Sequence, residues 1–93
     1  MEFEWDEAKA NANLEKHGVA FEAAVAIFAD SQRFVIEDLR FKYQKLRYSV
    51  HGFIQGRLHV VVFTFRDSGI RIISARKANK REQIKHGHRS IQA

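Results

Sequence analysis

Residues 57–82, RLHVVVFTFRDSGIRIISARKANKRE, hold two strand-like runs, and their reading decides the fold. The first run, LHVVVFTF at 58–65, is apolar at nearly every position, which predicts a strand covered on both faces and central in a sheet. The second, 70–76, alternates, so that Arg71, Ile73 and Ala75 are expected on one face and Ile72, Ser74 and Arg76 on the other. The turn-like segment 67–69 between them is short enough to require antiparallel pairing.

Upstream, 33–38 and 43–53 read as further strands, joined through turn-like segments at 39–42 and 54–56, and the four together predict an antiparallel meander. Residues 1–5 alternate Met1, Phe3 and Trp5 with Glu2 and Glu4, as an edge strand would. A helix over 7–17 follows: Asp6 is a good N-cap, Glu7 suits the positive end of the dipole, and Gly18 is placed to end it. Its apolar face is thin, chiefly Ala10 and Leu14, while Lys9, Asn13 and Lys16 form a polar stripe one turn beyond Trp5. A second helix over 21–29 is expected to turn Phe21, Ala24, Val25 and Phe28 toward the core, although Ala20 makes a poor cap. Good helix formers predict a basic terminal helix over 77–86, ended by Gly87, with 90–93 frayed. The order strand, two helices, four strands, helix describes an α+β layer fold with its helices gathered on one face of the sheet.

Ninety-three residues are expected to form a single domain over 1–93 that buries about 60–65% of its unfolded surface. With 45% hydrophobic residues and eight Phe the chain reads as a folded globule, not a disordered tail. The absence of cysteine excludes disulfides, thiolate metal sites and a Cys nucleophile. The acidic N-terminus lacks the pattern of a secretory signal, and no apolar run is long enough to span a bilayer, so a cytoplasmic location without membrane association is expected. The net charge of +5 is unevenly placed: residues 66–93 carry eight Lys and Arg against two acids, leaving the remainder close to neutral. Such a basic third suits an anionic partner, nucleic acid above all, although a solvated helix face has the same composition.

Within that third, Ser74 and Arg76 project together, a hydroxyl beside a planar guanidinium whose fork matches phosphate oxygens. The alternative is an ion pair of Arg76 with Glu82. The imidazole of His17 invites a proton-transfer role, yet just before Gly18 it is equally suited to stabilising a helix C-terminus. His51, His59, His86 and His88 show no metal-ligand spacing, so neither metal nor cofactor is expected.

Two segments, FEWDEAKANANLEKHGVAFEAA at 3–24 and VVVFTFR with IRIISARKANKRE near the end, resemble the BrnT family, toxin ribonucleases of bacterial type II toxin–antitoxin systems. The resemblance implies a RelE-like fold, metal-independent RNA cleavage, and neutralisation by a BrnA-type antitoxin through which alone DNA is contacted. The family's patterns fall on Trp5, Lys9, Asn13, Lys16, His17 and Gly18, and on Thr64, Arg66, Arg71, Ser74, Arg76 and Glu82. Two positions depart from it: Ala20 stands where Ser is usual before the second helix, and His86 where Tyr is usual.

RNA is cut without metal when its 2′-hydroxyl attacks the adjacent phosphate, which needs a base, an acid and cations on the charged transition state. The catalytic candidates are Arg66 and Arg76 as cations, Ser74 orienting a phosphate oxygen, Lys9 as cation or base, and His17. Trp5 is a candidate for stacking a base, and Arg71, Lys77, Lys80, Arg81 and Lys85 for holding the RNA backbone. The terminal helix is alternatively the antitoxin's docking face. A non-catalytic RNA-binding or protein-interaction module would use the same arginines. An autonomous DNA-binding regulator is disfavoured by the lack of a helix-turn-helix pattern.

Overall fold

A computed structural model describes residues 2–38, 46–67 and 69–87. Five strands, β1 (Glu2–Glu4), β2 (Phe34–Asp38), β3 (Arg47–Ile54), β4 (Arg57–Arg66) and β5 (Gly69–Lys77), form one sheet in the order β1-β5-β4-β3-β2. Strands β2 to β5 are consecutive antiparallel neighbours, with β4 central as its apolar run requires. The sheet is nonetheless mixed, because β1 pairs with β5 in parallel, Glu2 opposite Gly69 and Glu4 opposite Arg71. Gly69 permits that approach, since a Cβ there would collide with the Glu2 carbonyl oxygen. The turn expected at 39–42 and the expected start of β3 at 43 lie outside the described residues, as do Met1 and 90–93.

Helix α1 (Glu7–His17) begins where Asp6 Oδ1 accepts the Lys9 N–H at 3.1 Å and ends where Gly18, at φ 72°, donates its N–H to the Leu14 carbonyl. Its buried residues are Ala10 and Asn13; Leu14, expected in the core, is exposed. The second helical segment is short: α2 (Phe21–Ala24) passes into a 3-10 helix (Val25–Ala29), and Ala20 supplies no side-chain cap. Its fully buried residues, Phe21, Ala24 and Ile27, recur every three residues, the period of the tighter helix, whereas Val25 and Phe28 are only partly covered. These side chains pack with Val50, Val61, Phe63, Ile70, Ile72 and Ala75 as the main core.

Helix α3 (Lys80–His86) starts later than expected, because β5 continues to Lys77. Asn79 then caps the helix in a reciprocal capping box with Glu82, the Asn-x-x-Glu pattern already legible in ANKRE. The helix also lies on the other face of the sheet from the main core. Its Glu82 meets Arg76 and its His86 packs on Phe34, both residues that point away from the core helices. Leu58, Val60 and Ala78 form a small second cluster on that face. The helices are therefore divided between the two faces, contrary to the one-sided layer expected.

The strict alternation expected for β5 is broken by a bulge, where Val62 pairs with Ser74 and Phe63 with Ile72, leaving Ile73 as an extra residue. Ile70, Ile72 and Ala75 consequently all face the main core. Arg71, Ser74 and Arg76 share the opposite face, so Ile72 does not sit with Ser74 and Arg76 as alternation alone predicts.

Beyond Arg71 the outer edge of β5 has no strand partner among the described residues, and α1 takes that place through one side chain. Asn13 Oδ1 accepts the Ala75 N–H at 3.1 Å, while its Nδ2 donates to the Ala75 carbonyl at 2.8 Å and to the Val19 carbonyl at 2.9 Å. Replacing Asn13 by Ala leaves all three buried backbone groups unpaired. We expect Asn13→Ala to lower stability by about 2–4 kcal/mol in urea unfolding, more than an exposed Asn11→Ala control; equal effects of the two would refute the assignment.

Candidate functional site

On the face opposite the main core, the antiparallel register aligns side chains in rows across the strands. One row runs Phe34, His51, Val60, Arg76 and the next Ile36, Ser49, Val62, Ser74. Val60 and Val62 form an apolar floor, and polar groups stand on either side of it. Helix α3 bounds this surface with Glu82, and the end of α1, held at the β5 edge by Asn13, contributes Lys16 and His17. The result is an open cleft of about 880 Å³ lined by Lys16, His17, Glu37, Ser49, His51, Ser74, Arg76 and Glu82, among others.

Arg76 is held by Glu82 in a bidentate ion pair, Nη1 to Oε1 at 2.8 Å and Nη2 to Oε2 at 2.9 Å. The same Glu82 Oε1 accepts the Asn79 N–H at 2.8 Å, so one carboxylate both caps α3 and fixes the guanidinium. The Arg76 hydrogen bonds hold the Glu82 carboxyl down to about 2, against its ordinary 4.5, with burial opposing and the Asn79 bond assisting. The charged lining of the cleft thus balances, Lys16 and Arg76 against Glu37 and Glu82.

Of the residues singled out by sequence, the cleft gathers Lys16, His17, Ser74, Arg76 and Glu82. The others lie elsewhere. Lys9 is on the exposed side of α1, away from the cleft. Arg66 shares the outer sheet face but sits six residues along β4 from Val60, the partner of Arg76, a separation of about 20 Å. Arg66 is accordingly not among the residues that line the cleft. Arg71 is paired with Glu4 at 2.8 Å. Trp5 is partly buried, its ring edge-on to Phe21 with centroids 5.9 Å apart, and it packs against the main core on the face away from the cleft. Lys77 lines a separate hollow beside Gly18 and His59, and Lys80, Arg81 and Lys85 are exposed on α3. Thr64 donates to the Leu46 carbonyl at 2.6 Å, which accounts for its burial.

His51 and Ser49 join the site by geometry. His51 is buried, stacked on Phe34 with centroids 4.7 Å apart and planes 8° from parallel, and edge-on to His86 at 5.6 Å. Burial pushes its imidazole below the ordinary value; Glu82 works against that shift, and His86 and Arg76 reinforce it. His59 is displaced downward by burial too, but it faces away from the cleft, its Nδ1 2.7 Å from the Arg57 carbonyl, which fixes the proton on that nitrogen. The signal for His51 in the sequence was its parity with Ser49 on β3, legible only once the strand register is known.

Residues 5–82 match the family model described as ribonuclease toxin, BrnT, of type II toxin–antitoxin system. The chain is thus a ribonuclease toxin by family, a class that implies an RNA target and an antitoxin partner. Within that class, the chain belongs to the BrnT family. Comparison with individually curated proteins returns no match. Among the described residues no helix is long and apolar enough to cross a membrane.

The Glu82–Arg76 pair has a pH signature. Because the folded state holds the Glu82 carboxyl below its ordinary value, the pair contributes fully above pH 4.5 and is lost as pH falls toward about 2. Urea midpoints of the wild type should therefore fall more steeply through that window than those of Glu82→Gln, and parallel curves would refute the linkage.

Proposed function

We propose that this chain is a single-domain, RelE-like toxin endoribonuclease of the cytoplasm that cuts RNA without metal and is silenced by a BrnA-type antitoxin, whose own domain contacts DNA. The observation that carries it is the meeting of Ser74, Arg76, Lys16 and His17 in one cleft, brought there from β5 and α1. A hydroxyl, a guanidinium and an ammonium supply hydrogen bonds and positive charge to a phosphodiester, and an imidazole is the side chain best suited to moving protons near neutrality.

Arg76 carries the largest share of transition-state stabilisation. Both terminal nitrogens of its fork donate to Glu82, so an incoming phosphodiester takes the guanidinium by displacing that carboxylate from the same planar, two-point geometry. Ser74, beside it on the same face, donates its hydroxyl to a phosphate oxygen. Lys16 adds charge from the rim, and His17 exchanges protons there. Exposed Lys80, Arg81 and Lys85 on α3 attract the RNA backbone, which offsets the balanced charge inside the cleft. Lys9, Arg66, Arg71 and Lys77 contribute at most to the outer field, and Trp5 to the core.

Incubated with RNA in EDTA, the purified chain is expected to leave fragments ending in a cyclic phosphate and beginning with a free 5′-hydroxyl. Arg76→Ala should slow cleavage on the order of 100-fold and relieve growth arrest on induction in bacteria, while Arg66→Ala should change the rate by less than about threefold. RNA that stays intact, with binding retained, would favour a non-catalytic RNA-binding module instead.

A further inference from the structure

The cleft holds a second imidazole to which neither the family motifs nor the function proposed above gives a role. His51 rises from the same sheet face as Arg76 and in the same cross-strand row, with Val60 between them. Two strand spacings separate their backbones by about 10 Å, and the Glu82 carboxylate that pairs with Arg76 also acts on His51, so a phosphodiester resting over Val60 and Val62 would take that carboxylate's place beside the guanidinium, with the imidazole on its other side. On the far side of Arg76, beyond the β5 edge, stands His17. A phosphate in that position would have the His51 imidazole on one side and Arg76 with Ser74 on the other, a proton acceptor facing the groups that hold the phosphate, while His17 stands behind Arg76.

The ring is fixed for such a task. Phe34 stacks on its face and His86 closes against it. Its hydrogen bonding is incomplete: Nε2 lies 3.4 Å from Ser49 Oγ, a long contact, and the buried Nδ1 finds no hydrogen-bond partner among the described residues. Buried ring nitrogens are almost always satisfied, and a substrate hydroxyl would supply the bond that is missing.

We propose that His51 is the proton acceptor for the attacking 2′-hydroxyl, a role that rests on the ribonuclease function proposed above. The 2′-oxygen–phosphorus bond forms as the phosphorus–O5′ bond breaks. The 2′-hydroxyl proton passes to His51, and the departing O5′ takes a proton from water at the open mouth of the cleft. The resulting cyclic phosphate and 5′-hydroxyl balance the step without any co-reactant beyond water. His51 is only 7% exposed, with His86 over it, so access of the 2′-hydroxyl to the ring requires the last turn of α3 to shift outward. The groups that face the ring or share its cleft are Glu82 and His86 from α3, Arg76 from β5, Glu37 from β2, and Lys16 and His17 from α1. Burial outweighs the attraction of Glu82 and keeps the imidazole neutral near pH 7, the form a base needs.

The test is cleavage of a labelled mixed-sequence RNA in EDTA by the full chain across acidic to neutral pH. Wild-type activity should fall on the acid side with a midpoint below 6.5, coinciding with the titration of the His51 ring followed by NMR. His51→Asn should slow cleavage at neutral pH on the order of 100-fold and abolish the acid limb, with RNA affinity within about threefold of wild type. If His51→Asn cleaves at the wild-type rate with the limb intact, or if the wild-type limb does not follow the His51 titration, the role is overturned. The NMR comparison needs no substitution, so it decides even if the variant fails to fold. Wild-type protein that leaves RNA intact overturns the ribonuclease function and this role together, whereas wild-type cleavage with an unaffected His51→Asn overturns only the latter.

Discussion

The molecule is organised around a side chain that takes the place of a strand. Strand β1 covers only the first part of β5, and the remaining edge offers the Ala75 N–H and carbonyl to no other backbone among the described residues. Asn13 answers both with one amide and uses its second N–H to hold the chain at Val19. A carboxamide is suited to this because it presents a donor and an acceptor side by side, as a neighbouring peptide would. Alanine, serine or aspartate in the same place would satisfy fewer of the three groups. The placement of Lys16 and His17 beside Ser74 and Arg76 follows from that anchor, since they occupy the next turn of the same helix.

The two faces of the sheet have different tasks. One buries Phe21, Ala24 and Ile27 against Val50, Val61 and Ile72, and its packing is apolar throughout. The other keeps a small apolar floor under α3 and leaves polar side chains standing around it. The bulge at Ile73 reconciles the two on β5: it lets Ile70, Ile72 and Ala75 all reach the core while Arg71, Ser74 and Arg76 stay outside. The basic stretch 66–89 is divided in the same way. Arg76 belongs to the cleft, Arg71 ties β1 to β5 through Glu4, and the lysines of α3 face solvent.

Much of this was legible in the residue order. The unbroken apolar run at 58–65 placed β4 at the centre, Asp6 and Gly18 bounded α1, and Ser74 with Arg76 were correctly put on one face. What escaped had specific causes. A bulge adds one residue without a sequence signature, so Ile72 was assigned to the wrong face. Asn13 looked like part of a solvated stripe because its partners, Val19 and Ala75, are six and 62 positions away. The parallel pairing of β1 depends on Gly69, which reads equally well as a turn residue. His51 was passed over because its neighbours Phe34, Arg76 and His86 come from three other elements, and a row across a sheet has no image along the chain.

The distance in sequence between Asn13 and Ala75 also bears on how the protein comes into being. Contacts this far apart form late and slowly, because a long loop must close before they contribute anything. On the ribosome, α1 emerges early but has no edge to grip until β5 has left the exit tunnel, and α3 follows later still. Until then Lys16 and His17 are unattached, and Ser74, Arg76 and Glu82 do not exist before β5 and α3 are translated. The cleft is among the last features to exist, so a partially translated chain is without it, and a partner present during translation meets the helices before it meets the finished cleft.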